Sequence, residues 1–176
     1  MTARSWRRLA LAAVTVVIVQ VGILQQISID AAHPDVFLLM AICAGLVAGP
    51  QTGAVIAFLW GLVADLFVVT PFGLSALCFV LVAFAVGQLS QVPGSRPPYR
   101  LSVVVSFAAG FVGSLLYVGL SFLVGLPHFP APEIAVAALV VAVGCAVLAV
   151  PAMATTRWIF AGAAQQRGEY ASVGTR

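Results

Sequence analysis

Six apolar runs, separated by short stretches that hold most of the charges and prolines, constrain this chain of 176 residues more than any motif. They cover residues 9–27, 36–48, 53–69, 73–89, 101–126 and 134–160. A helix needs about 20 apolar residues to cross roughly 30 Å of hydrocarbon. In lipid, backbone polar groups must be satisfied inside a helix or a closed barrel. The alternating pattern of barrel strands is absent, so each run is expected to be a helical span. The second is short. It becomes adequate as 34–49 if Pro34 occupies the first helical turn, where its missing N–H costs nothing, and the helix runs to Gly49. The expected fold is all-α, a single six-transmembrane-helix membrane domain over residues 1–160. Its spans lie at about 9–27, 34–49, 53–69, 73–89, 101–126 and 134–160, and a disordered cytoplasmic tail follows at 161–176.

Composition agrees. Hydrophobic residues make up 62% of the chain, charged residues 7%, and the mean hydropathy is +1.15. A soluble domain carries about 25% charge. The eight cationic residues are all arginines and are dispersed, so they do not form a nucleic-acid patch. They report topology instead. With Arg4, Arg7 and Arg8 inside and one crossing per run, Arg96, Arg100, Arg157, Arg167 and Arg176 also fall inside. Asp30, Asp35 and Glu133 fall outside, and this separation implies both ends in the cytoplasm. Arg7-Arg8 before an apolar run resembles a twin-arginine signal, but the 19-residue run exceeds the 7–15 of a signal core. An uncleaved first span is expected. Cys43, Cys78 and Cys145 lie singly in three runs without metal-site spacing, as small buried hydrophobes do.

The turns near residues 50 and 71 are only a few residues long, so the second, third and fourth spans should be antiparallel neighbours. The stretch 91–100 holds Pro93, Gly94, Pro97 and Pro98, a stiff link between two three-helix halves. In the third span Gly53, Ala57, Gly61 and Asp65 recur every four residues, along one face where two backbones can approach closely. Ala41, Gly45 and Gly49 repeat this in the second span. Ser102, Ser106, Gly110 and Ser114 do so in the fifth, where hydroxyls could bond across a helix pair. Such faces serve either partner helices or packing within the bundle, and the second is the commoner use.

Asp65 is the one acidic residue inside a run. A charge at a helix centre costs about 2.5–3.5 kcal/mol on insertion scales, so such a residue usually faces protein or water. Capping of a neighbouring helix or turn is the simplest role, and proton or ion relay the sharper one. A relay usually needs several intramembrane titratable groups. His33 and His128 each adjoin a proline between runs, where helices end. No nucleophile–base set, phosphate loop or dinucleotide fingerprint occurs, so neither catalysis nor a cofactor is expected.

Four pieces then resemble the rod shape-determining protein MreD family. They are Pro34-Asp35 leading an apolar helix, Gly49-Pro50-Gln51-Thr52-Gly53-Ala54, Gly61-Leu62-Val63-Ala64-Asp65-Leu66, and Pro71-Phe72-Gly73 entering the next helix. They span about residues 34–77, and their order and spacing match. Many relatives carry a basic residue before the Gly-Pro turn where this chain has Ala48, which leaves that helix end uncharged. The resemblance implies a non-catalytic scaffold of the cell-elongation machinery in the bacterial cytoplasmic membrane. Its implied partners are an MreC-like scaffold, a RodA-like polymerase with its penicillin-binding transpeptidase and, indirectly, MreB, with the lipid bilayer around it and no nucleic acid. Such chains also resemble the substrate-binding S-components of energy-coupling vitamin transporters, six-helix bundles too. That alternative would require an outward pocket built from residues such as His33, Asp35, His128 and Glu133.

Overall fold

The computed structural model describes residues 11, 14–18, 20, 22, 35–67, 71–89, 99–125 and 131–173, without side chains for 131–132 and 161–173. All regular structure among them is helical. Helix α1 is seen at residues 11, 14–18, 20 and 22. It is followed by α2 (Val36–Ala48), α3 (Pro50–Asp65), α4 (Leu74–Leu89), α5 (Tyr99–Leu123) and α6 (Ala131–Val173). Pro34, His33 and His128 lie outside the described residues.

Helix α2 is the axis of the molecule. It touches α3, α4, α5 and α6, and every residue from Val36 to Leu46 is buried. An apolar helix without a polar face suits either lipid or a protein interior, and here neighbouring helices supply the cover. Asp35 is the N-cap, its carboxylate accepting from the Leu38 N–H at 3.1 Å. The helix therefore starts one residue after Asp35, at Val36 rather than at 34. At 13 residues it is about 20 Å long, short of a full span.

The turn expected at 49–52 contracts to Gly49 alone. Pro50 opens α3 at its first position, where the fixed φ is already helical, and Gly49 reverses the chain at φ +80°. Helix α3 thus covers 50–65 rather than 53–69. Glycine contacts give the directions: Gly61 meets Ala76 and Gly87 meets Pro50, so α3 and α4 are antiparallel along their whole length.

Two helices, Tyr99–Leu123 and the Glu133–Phe160 part of α6, are long and apolar enough to cross a membrane by themselves. They pack on each other and reach past the rest. Cys145, well into α6, stands beside Asp35 at the start of α2, with Sγ 4.0 Å from its carbonyl oxygen. A Cβ on Gly113 of α5 would lie 3.2 Å from Leu38. Roughly 15–20 Å of α5 and α6 therefore extends beyond the first turn of α2. At its other end α6 continues to Val173, through the stretch read from sequence as a disordered tail. Ala163, Ala164, Gln165, Gln166 and Arg167 are strong helix formers, and extending an existing helix avoids the cost of nucleation.

Candidate functional site

The chemistry of this chain concentrates where α2 and α4 begin. A helix start leaves backbone N–H groups without internal partners, which is costly away from water. Asp65, the last residue of α3 and 5% exposed, answers that need for the next helix. Its Oδ2 accepts from the Gly73 N–H at 2.8 Å and its Oδ1 from the Ser75 N–H at 3.1 Å. Gly73 reaches this position at φ +102°, a conformation that glycine adopts freely. Both carboxylate oxygens thus serve the start of α4, which also favours negative charge through the helix dipole.

The start of α2 is held twice, by Asp35 and by Gln20 of α1. The Gln20 amide oxygen accepts from the Val36 N–H at 3.0 Å, and Gln20 is 5% exposed. Above this region Phe37 contacts Phe67, with ring centroids 6.2 Å apart and planes 12° from parallel, and Trp60 at 6.2 Å. An apolar lid therefore shields the capped ends. Sequence reasoning missed Gln20, although it is the first amide side chain inside the opening run and would be hard to place against lipid.

The small-residue faces beneath are spent inside the bundle. Gly53, Ala57, Gly61 and Asp65 are all buried, but they divide between two neighbours. A Cβ on Gly53 would stand 2.7 Å from Gly45 Cα of α2, whereas one on Gly61 would overlap Ala76 Cα of α4. Gly45 in turn faces the Ala83 carbonyl oxygen, and a Cβ on Gly87 would stand 2.6 Å from Pro50 Cα. Ala41 is fully buried. Helices α2, α3 and α4 are thereby in backbone contact on three sides. The α4 face of Ala76, Ala83 and Gly87 was overlooked in the sequence, though its spacing of seven and then four residues is helical.

Two expectations are corrected. Gly49 does not extend the α2 packing face, since a Cβ there would meet nothing within 4 Å; its part is the turn. Ser114 does not bond across a helix pair but donates to the Gly110 carbonyl of its own helix at 2.9 Å, because an adjacent carbonyl is always within reach. Ser102 and Ser106 are fully buried, and the Ser106 hydroxyl has no hydrogen-bond partner among the described residues. Gly110 faces Cys145 and Ala142 of α6. Pro71 is exposed beside the α4 start, and its carbonyl accepts from the Leu74 N–H at 3.3 Å.

The decisive comparison is with protein families: the model of rod shape-determining protein MreD matches residues 5–154. The chain belongs to the MreD family. MreD proteins are membrane proteins of the MreBCD shape-determining system and are not a known enzyme family. No curated protein and no solved structure matches the chain. Within this MreD chain, Asp35 and the Gly-Pro, Gly-x-x-x-Asp and Pro-x-Gly pieces fall together on the turns and caps of α2, α3 and α4. No group of three His, Cys, Asp or Glu residues that could hold a metal occurs among the described residues.

Proposed function

We propose that this MreD protein is a non-catalytic scaffold of the cell-elongation machinery. In this reading it spans the bacterial cytoplasmic membrane six times with both ends inside. It supports lateral peptidoglycan synthesis by helix contacts with an MreC-like protein and with a RodA-like polymerase and its transpeptidase, and is coupled through them to MreB. The family match over residues 5–154 carries the proposal. Six crossings with both ends inside would put all eight arginines on the cytoplasmic side, the distribution that the positive-inside rule favours. The site supports a structural role as well. Asp65, the one carboxylate inside a span, has both oxygens engaged by backbone N–H groups and serves as a cap.

Because α2, α3 and α4 use their small faces on one another, partner helices are assigned to the outer faces of α5 and α6. There Val104, Phe107 and Val112 on α5 and Leu139, Val143 and Val147 on α6 are exposed. The test is co-purification of a tagged copy from native membranes in mild detergent, with partners identified by mass spectrometry. MreC-like and RodA-like proteins are expected. Recovery of paired ATPases with a coupling membrane subunit would instead make the chain a transporter S-component and sink the proposal.

A further inference from the structure

The chain presents two unequal faces to a bilayer, and the difference can be measured along its helices. Helices α2 to α6 share one level at the end where α3 and α5 begin. Gly87 of α4 lies against Pro50, the first residue of α3. Arg157 of α6 holds its guanidinium 4.3 Å above the ring of Tyr99, the first residue of α5. Helix α6 runs beside α2 from the contact of Cys145 with Asp35. Ala48 and Trp158, each thirteen positions further on, therefore stand level.

Above that floor the faces part. On α5 and α6 exposed apolar side chains run from Leu101 to Leu123 and from Val136 to Trp158, about 33 Å each. On α3 and α4 the exposed Thr52 and Gln88 mark the polar edge at the floor. Phe67 and Phe72 end the far side, about 22–24 Å away. Hydrocarbon is about 30 Å thick, so the long face fits with some tilt and the short face is deficient by roughly 6–8 Å. Tilting the bundle shortens both faces and leaves them unequal. Because the helices agree at the floor, the whole deficit lies at the far side.

The short face ends there in a turn, not in helix. Leu66, Phe67, Pro71 and Phe72 belong to the connection between α3 and α4, and Leu66 and Phe72 are 70% and 66% exposed. Irregular backbone open to lipid does not occur within hydrocarbon, because its polar groups find no partners there. Sinking the lipid surface to the turn costs little per ångström, and leaving the turn in hydrocarbon costs far more.

We infer that the chain thins the bilayer on one side. The outer leaflet sinks by roughly 6–8 Å to meet the α3–α4 turn, and lipid along α5 and α6 keeps its full depth. The partner this face fits is a lipid surface of short or disordered acyl chains. The inference rests on the membrane-spanning topology proposed above and on no partner protein.

The test is spin-label depth measurement on the full chain, reconstituted at low density in dioleoyl phosphatidylcholine vesicles. Oxygen and a water-soluble nickel chelate serve as colliders. A nitroxide is attached at Phe72→Cys, with Phe122→Cys and Leu89→Cys as references for the outer and cytoplasmic boundaries. The wild type, whose Cys43, Cys78 and Cys145 are buried, gives the background. Leu66→Cys repeats the measurement from the other side of the turn if Phe72→Cys does not fold. The chelate is expected to reach Phe72 at a rate similar to that at Phe122. In a flat bilayer hydrocarbon would exclude it and lower that rate at least about tenfold, with oxygen still abundant, which would overturn the inference. Low access for both colliders would overturn it too, since a second copy of the chain would then cover the turn. References that fail to report the boundaries would sink the spanning topology and the inference with it.

Discussion

Helices α2 to α4 and the pair α5–α6 are both rich in apolar residues yet are built on different principles. The first group is short: 13, 16 and 16 residues. Its members meet backbone to backbone at Gly45, Gly53, Gly61 and Gly87, and the buried starts of α2 and α4 are closed by Gln20, Asp35 and Asp65. The second group is long, and only 22% of each spanning window is buried. Its glycine contact is with a side chain, and Ser114 and Ser121 bond within their own helix. A helix too short to cross the hydrocarbon has its end inside it, and that end must be capped by protein. A helix that crosses fully leaves its ends in water and needs no such device. The family's motif residues gather on the short helices, and the long ones keep broad exposed apolar faces.

The largest test of this contrast is Gly61→Leu. The new side chain would run into the Ala76 backbone, which has no rotamer to yield, and a loss of about 3 kcal/mol or more is expected. The buried Cys43, Cys78 and Cys145 make thiol-reactive dye melting in detergent a direct readout. An unchanged melting profile would show that α3 and α4 are not in contact.

Asp65→Leu comes next. It leaves the Gly73 and Ser75 N–H groups without acceptors, at a cost of about 2–3 kcal/mol. Asp65→Asn keeps one acceptor and should fall between the two in the same melt. Equal melting of all three proteins would remove the cap from the account.

Gly110→Ala probes the long pair. Its Cβ would meet Cys145 Sγ at 3.0 Å, and a side chain can move, so the loss should stay below about 1 kcal/mol. If this variant melts as low as Gly61→Leu, the contrast between the groups fails. The smallest effect belongs to Ser106→Ala, which deletes a buried hydroxyl lacking a partner. It should be neutral or raise stability by up to about 1 kcal/mol, and a marked drop in melting temperature would reveal a partner for that oxygen.

Much of this site was legible in advance. The four-residue repeat of Gly53, Ala57, Gly61 and Asp65 marks one face of a helix whatever surrounds it, and a carboxylate inside an apolar run has few tolerable environments. The partners were not legible. Gly53 and Gly61 share a face in sequence but touch different helices, because α3 lies wedged between α2 and α4. Gln20 and Val36 are joined by a hydrogen bond across 16 positions of sequence, and no local pattern announces it.

The sequence by itself determined the all-helical class, the near absence of charge in the apolar runs and the chain reversals near residues 50 and 71. Each follows from local chemistry: backbone groups in lipid must bond within their own segment, and only certain residues turn a chain sharply. Only the tertiary structure decided that α2 is the buried axis, that Asp65 serves α4 and that α5 and α6 rise beyond the others. In a soluble protein a polar face would have told inside from outside. When both lipid and core are apolar, that signal vanishes and packing makes the choice.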